Sequence, residues 1–164
     1  MPVWAGWFVQ PSGTEQRLRG VWFTSVNTGF AIGDSGIILQ TSNGGSGWLR
    51  QNSGSVNRLN GIHFVDQNTG TAVGASGTIL RTTNGGLDWL SQSSGITGPF
   101  NSVSFYDAAR GVAVYGAPIG SGGARWTTNG GLNWNAASTI PGGLFSVSTC
   151  GPFNVIAGGG SGIY

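Results

Sequence analysis

The sequence predicts an all-β protein, a β-propeller of four-stranded antiparallel blades with about four blade equivalents in 164 residues. Three observations predict it. An eight-residue phrase occurs three times, as TSNGGSGW ending at Trp48, TTNGGLDW ending at Trp89 and TTNGGLNW ending at Trp134. The surrounding stretch repeats with it, since Leu18–Trp48 aligns without a gap on Leu59–Trp89. Short apolar runs with side chains two apart alternate with Gly-rich turns, and glycine supplies 32 residues. Self-similarity at about 40 to 45 residues, with four short strands per unit, is the pattern of propeller blades.

In chain order, residues 1–10 form the outer strand of an incomplete blade, because WFVQPSG matches the later WLRQNSG. Repeat 1 covers residues 11–52, repeat 2 covers 53–93, repeat 3 covers 94–138 and a partial repeat 4 covers 139–164. Each opens on a strand with period-2 apolar residues: Val21 and Phe23, Ile62 and Phe64, Val103 and Phe105. An NTG-type turn leads to the second strand, FAIG or TAVG. A DSG or ASG turn leads to the third, IILQT or TILRT. The repeated phrase then turns the chain into WLRQ or WLSQ. Repeat 3 holds four extra residues around YGAPIGSGG, and repeat 4 runs through three strands to SGIY. The two ends complement one another, so the N-terminal strand is expected to complete a terminal blade. It does so within one chain, as a four-bladed ring, or in a second chain. Exchange between chains is favoured because Trp22 and His63 on innermost strands would crowd a four-bladed axis, and free strand edges invite pairing.

The phrase reads as a structural clasp. Asn43, Asn84 and Asn129 each precede Gly-Gly, which suits a tight turn with positive φ; Gly45, Gly86 and Gly131 are the second glycines. Thr41, Thr82 and Thr127 can lend hydroxyls to the turn, and Trp48, Trp89 and Trp134 close it by packing over it. Burying one Trp covers about 150–250 Å², several kcal/mol at about 25 cal/mol/Å².

This phrase resembles the Asp-box, or BNR repeat, Ser/Thr-x-Asp-x-Gly-x-x-Trp. The wider unit, GVxFxDxxTGxAVGxxGTILRTTNGGxxW, is similar to the repeat of the photosystem II assembly/stability-factor propellers. The resemblance implies a propeller that engages a protein partner, partly through arginine-rich surface. Related repeats also occur in sialidases, xyloglucan hydrolases and sortilin-type receptors. Here Asn stands at every Asp position of the box, which keeps the turn but removes three carboxylates, so no metal or cofactor is expected there.

Composition excludes several classes. All seven basic residues are arginines, against five acids, for a net charge of +2 with no cluster of the kind nucleic acid needs. No apolar stretch approaches the roughly 18 residues of a membrane-inserting helix. The opening MPVWAGWFVQ lacks the charged and apolar regions of a signal peptide. Cys150 is the only cysteine and is expected as a small apolar filler near a strand end. Glycosidases need paired carboxyl groups, yet among Glu15, Asp34, Asp66, Asp88 and Asp107 no pair emerges. Asp66 and Asp107 share one repeat position before a turn, and Asp88 sits in a clasp. His63 shares its repeat column with Trp22 and Ser104, a packing position. No catalytic residue is assigned, and the chain is read as non-enzymatic.

Alternating strand direction places the inter-unit loops and the turns between second and third strands on one face, and the clasps on the other. The first face receives Arg17 and Arg58, which are repeat-equivalent, with Arg19, Asp34, Tyr115 and Pro118 of the enlarged loop. Loops on a rigid scaffold commonly carry binding. The expectation is a binding or assembly scaffold that presents these loops to a protein partner or to a second copy of itself. An extracellular or virion structural subunit that assembles by strand exchange is the alternative, favoured by scarce charge and absent lysine. A glycan-binding or glycoside-hydrolase-related fragment comes third. An extracytoplasmic location is favoured on the same composition.

Overall fold

The computed structural model describes residues 9–116, 121–137, 140–152, 154–160 and 162–164. All regular elements of more than three residues are strands. The first sheet orders β1 (Leu18–Phe23), β2 (Gly29–Gly33), β3 (Ile38–Thr41) and β4 (Leu49–Gln51) as an antiparallel meander. The second repeats it with β5 (Leu59–Phe64), β6 (Gly70–Gly74), β7 (Ile79–Thr82) and β8 (Leu90–Gln92). The third holds β9 (Phe100–Phe105), β10 (Gly111–Tyr115), β11 (Ser121–Thr127) and β12 (Asn135–Ala136), with β13 (Ile140–Pro141) also paired to β11. The fourth has three strands, β14 (Leu144–Thr149), β15 (Val155–Gly159) and β16 (Gly162–Ile163). Two single 3-10 turns, Asp34–Gly36 and Ala75–Gly77, occupy the predicted DSG and ASG turns. Residues 1–8, most of the expected outer strand 1–10, lie outside the described residues, as does Pro118; Val9 and Gln10 are not in a strand.

The sheets stand face to face in chain order. Phe30, Ile32 and Ile38 of the first share a buried cluster with Leu59, Ile62, Phe64, Leu80 and Trp89 of the second. Val73 and Ile79 of the second meet Phe100, Val103 and Phe105 of the third. Val114 of the third meets Leu144, Val147 and Ala157 of the fourth. Neighbouring first strands approach so closely that a Cβ on Gly61 would lie 3.1 Å from Ser102 Cα. Side-chain amides lock the same seams: Asn60 Nδ2 donates to the Phe100 carbonyl at 2.7 Å, and Asn101 Nδ2 to the Leu144 carbonyl at 2.7 Å.

The preceding sheet decides what a first strand buries. Ile62 and Phe64, with a sheet in front of them, are 8% and 4% exposed. Their counterparts in β1, Val21 and Phe23, are 61% and 43% exposed, because no described element covers that face. At the other end, Phe145, Ile156 and Tyr164 are exposed. Among the described residues, nothing covers either end face of the stack. The rings of Trp22 and His63 pack on one another at 4.5 Å between centroids. Cys150, expected as an apolar filler, is exposed, since the chain leaves the sheet immediately after β14.

Candidate functional site

The loop face is built by backbone bonds that recur from repeat to repeat. Asp34 N–H donates to the Arg17 carbonyl at 2.9 Å, and Ala75 N–H to the Arg58 carbonyl at 2.8 Å. Each inter-unit loop is thereby tied to the turn between second and third strands. The fit is tight enough that a Cβ on Gly33 would collide with the Arg17 carbonyl, and one on Gly74 with that of Arg58. Ser35 and Ser76 hold φ of 56° and 55° at the turn apices, a conformation most side chains avoid. Ser35 Oγ donates to Gln16 Oε1 at 2.9 Å, fixing the apex to the loop before β1.

On this frame Arg19 and Asp34 form a forked ion pair, with Nε on Oδ1 and Nη2 on Oδ2 at 3.2 Å. The Arg19 hydrogen bond holds the Asp34 carboxyl below its usual range, and the charges of Arg19, Arg58 and Arg17 act in the same direction. The structure thus gathers Arg17, Arg19, Arg58 and Asp34 into one electrostatic neighbourhood with an excess of positive charge. Tyr115 stands apart from that group in the third sheet. It takes the place that Gly33 and Gly74 hold in the earlier repeats, and its half-buried ring meets Phe100 edge-on at 5.8 Å. The position of Arg17 and Arg58 is held by Pro99 in the third repeat.

The clasps occupy the opposite face and have the predicted chemistry. The Thr41, Thr82 and Thr127 hydroxyls accept the N–H of Gly45, Gly86 and Gly131, each at 2.9 Å. The same hydroxyls donate to Oδ1 of Asn43, Asn84 and Asn129 at 2.9–3.0 Å. That amide oxygen in turn accepts the N–H of Gly47, Asp88 or Asn133. Positive φ is carried by the glycine pairs, for example 69° and 85° at Gly85 and Gly86. The first turns join this face, since Gly44, Gly85 and Gly130 N–H bond the carbonyls of Asn27, Asn68 and Ala109. Each Trp reaches beyond its own turn: Trp89 lies edge-on to Phe64 and to Phe30 of the preceding sheet, and Trp134 to Phe105. Between the second and third clasps runs a groove of about 690 Å³ edged by exposed Leu87 and Leu132.

Four of the five acids have structural work. Asp66 accepts the N–H groups of Asn68 and Thr69, and Asp107 those of Ala109 and Arg110. Asp88 accepts from Asn84 Nδ2, Asp34 is paired with Arg19, and Glu15 is exposed. Among the described residues no three His, Cys, Asp or Glu side chains gather as a metal site. Burial, and secondarily the Arg81 charge, pull His63 down to about 4, so its imidazole is neutral at pH 7.

Sequence reasoning missed Arg81. It is buried, bonds Thr71 Oγ1 and the Ala108 carbonyl, and lies 4.5 Å over the Phe105 ring. Its column, Gln40, Arg81 and Trp126, varies so widely that alignment of repeats hides a common task, which is to meet the next sheet. Gln40 performs that task through the Gly85 carbonyl at 3.1 Å. Asn60 and Asn101 did carry a signal, as identical amides one repeat apart.

No sequence-family profile and no curated protein matches the chain. Solved structures do. A structure described as YCF48 bound to D1 peptide is similar at 21% identity and a TM-score of 0.71, covering 91% of this chain and 48% of that one. YCF48 from Cyanidioschyzon merolae is similar at 24% identity and TM-score 0.69, covering 88% and 50%. An ancestral GH74 enzyme is similar at 20% identity and TM-score 0.56, covering 72% of this chain and 18% of that one. The chain spans about half the length of the two YCF48 chains. Its four antiparallel sheets have the fold of propeller blades.

Proposed function

We propose that this chain is a non-enzymatic binding and assembly scaffold that uses its loop face to hold a segment of another protein. The observation that carries the reading is the arginine group: Arg19 pairs with the Asp34 carboxylate, and the charges of Arg58 and Arg17 bear on the same group, along an edge tied by backbone bonds. A partly neutralised cationic surface suits an acidic peptide, because the guanidinium fork gives carboxylates two parallel bonds. The YCF48 structure with a D1 peptide supports the peptide reading through the shared blade fold. The sequence resemblance to photosystem II assembly factors, through Asp-box-type clasps, points the same way. The five acids argue against a hydrolase, since four of them already serve turns, a clasp or an ion pair.

A second partner is the chain itself, favoured by the two uncovered apolar faces at the ends of the stack. Scarce charge and a Gly/Ser/Thr-rich surface fit work outside the cytoplasm.

The test is titration of labelled acidic peptides, and separately of the D1 peptide, against the chain and its Arg17→Gln/Arg19→Gln/Arg58→Gln variant. The triple variant is expected to weaken binding at least tenfold with an unchanged melting curve. A Leu87→Ser/Leu132→Ser variant on the clasp face should bind normally. Loss in the leucine variant with retention in the arginine variant overturns the reading.

A further inference from the structure

The two uncovered faces are the two halves of a seam that the molecule builds three times internally. At each seam a second-strand residue of one sheet meets a first-strand residue of the next. Phe30 stacks on Phe64 at 4.3 Å between centroids; at the next seam Arg81, paired in register with Thr71, lies over Phe105, and at the last Val112 and Thr149 line one cleft. In the same columns, the outer face of the fourth sheet offers Ile156, and the bare face of β1 offers Phe23; both are exposed. A second pair of columns agrees. Asn60 and Asn101 reach the backbone of Phe100 and Leu144, and their counterparts at the open ends are Phe145 and Leu18, both exposed and apolar. No charged residue follows Arg125, so nothing on the fourth sheet opposes such a contact.

The segment before β1 already behaves as part of a preceding blade. A Cβ on Gly131 would collide with the Gln92 side chain, which belongs to the outer strand of the sheet before it. A Cβ on Gly45 would collide in the same way with Gln10. Gln10 therefore holds on the first sheet the place that Gln92 holds on the third. Trp7 precedes Gln10 by the spacing that separates Trp48 from Gln51 and Trp89 from Gln92.

The fourth sheet has a matching place for that tryptophan. At the earlier seams Phe64 with Trp89, and Phe105 with Trp134, fill the space beside the first strand. At the last seam the first-strand residue is Thr149, and a cleft of about 380 Å³ opens instead. It is lined by Tyr106, Val112, Trp126, Pro152 and Val155, an apolar wall suited to an aromatic ring.

We propose that two copies of this chain join head to tail, the fourth sheet of each covering β1 of the other, with Trp7 of one copy seated in the cleft between the third and fourth sheets of its partner. This rests on the self-association reading and adds its geometry. Two identical seams then close a ring of eight blade equivalents, leaving no bare sheet face.

Light scattering of the 164-residue chain is expected to give twice the 16.8 kDa of one copy. Trp7→Ala, and separately Thr149→Trp, which fills the cleft from within, should each weaken the dimer at least tenfold while circular dichroism stays unchanged. In a Cys150→Ser background, chains carrying Phe145→Cys should form disulfide-linked dimers when mixed with chains carrying Leu18→Cys, and neither should do so alone. A monomer overturns both self-association and this geometry. A dimer indifferent to Trp7→Ala and Thr149→Trp, or cross-linked between like-labelled chains, overturns the geometry and leaves self-association standing.

Discussion

The first and second sheets are near copies in sequence and differ in what lies in front of them. In the second, Ile62 and Phe64 are sealed beneath Phe30 and Trp89; in the first, Val21 and Phe23 face outward. The local pattern that makes each strand is the same. Burial, and with it most of the stabilising free energy, comes from the neighbour. A repeat in such a stack is half of an interface on either side, as expected where each unit contacts only its neighbours.

The largest effect should separate those two sheets. Phe64→Ala, and likewise Trp89→Ala, should destabilise by about 3–5 kcal/mol, the range for emptying a buried aromatic site. At concentrations where the chain is monomeric, Phe23→Ala should cost less than about 1.5 kcal/mol, because part of its ring is already in water. Denaturant melts of the three variants measure this; equal losses at Phe23 and Phe64 would break the comparison. A Phe23→Ala cost that grows with protein concentration would sharpen it, by showing the bare face covered on association.

Acid should distinguish the innermost strands next. His63 in the folded chain is pulled to about 4, below its ordinary 6.5, chiefly by burial. The unfolded chain therefore takes up the proton first, and stability present above pH 6.5 is lost as pH falls from 6.5 to about 4. Solvent reaching the partly exposed ring limits the loss to about 2 kcal/mol. His63→Phe should flatten stability over that window; an unchanged pH profile would remove His63 as its cause.

Seam and clasp amides should follow. Asn60→Ala removes a bond between sheets and leaves the Phe100 carbonyl short of a partner, costing about 1–2 kcal/mol. Asn84→Ala unpicks one clasp and should cost about 0.5–2 kcal/mol, similar to loss of a cap. Chemical melts that found neither loss would show that the tryptophans alone hold the clasps.

The smallest effect belongs to the loop face. Arg19→Gln should leave the melting temperature unchanged, since its pair with Asp34 is solvent-exposed. A clear drop would move Arg19 from the binding surface into the framework.

Much of this was legible beforehand, residue by residue. The threonine, asparagine and glycine of each clasp follow from turn chemistry, which is local, and the structure adds only the distances. The grouping of Arg17, Arg19, Arg58 and Asp34 followed from strand alternation, which puts alternate connections on one face. Tyr115 ends β10 in the place of Gly33 and Gly74, and its ring packs edge-on to Phe100. Cys150 was misread because a strand end one residue earlier turned it outward.

Sequence by itself determined the repeat, its strands and turns, and the face on which each loop emerges, because these depend on alternation and on backbone angles within a few residues. Tertiary structure alone decided which apolar residues are covered, how Arg81 lies over Phe105 and why the last seam holds a cleft. The physical reason is that burial is a relation between surfaces. Val21 and Ile62 spell nearly the same residue, and only the presence or absence of a sheet in front of them sets one in water and the other in the core.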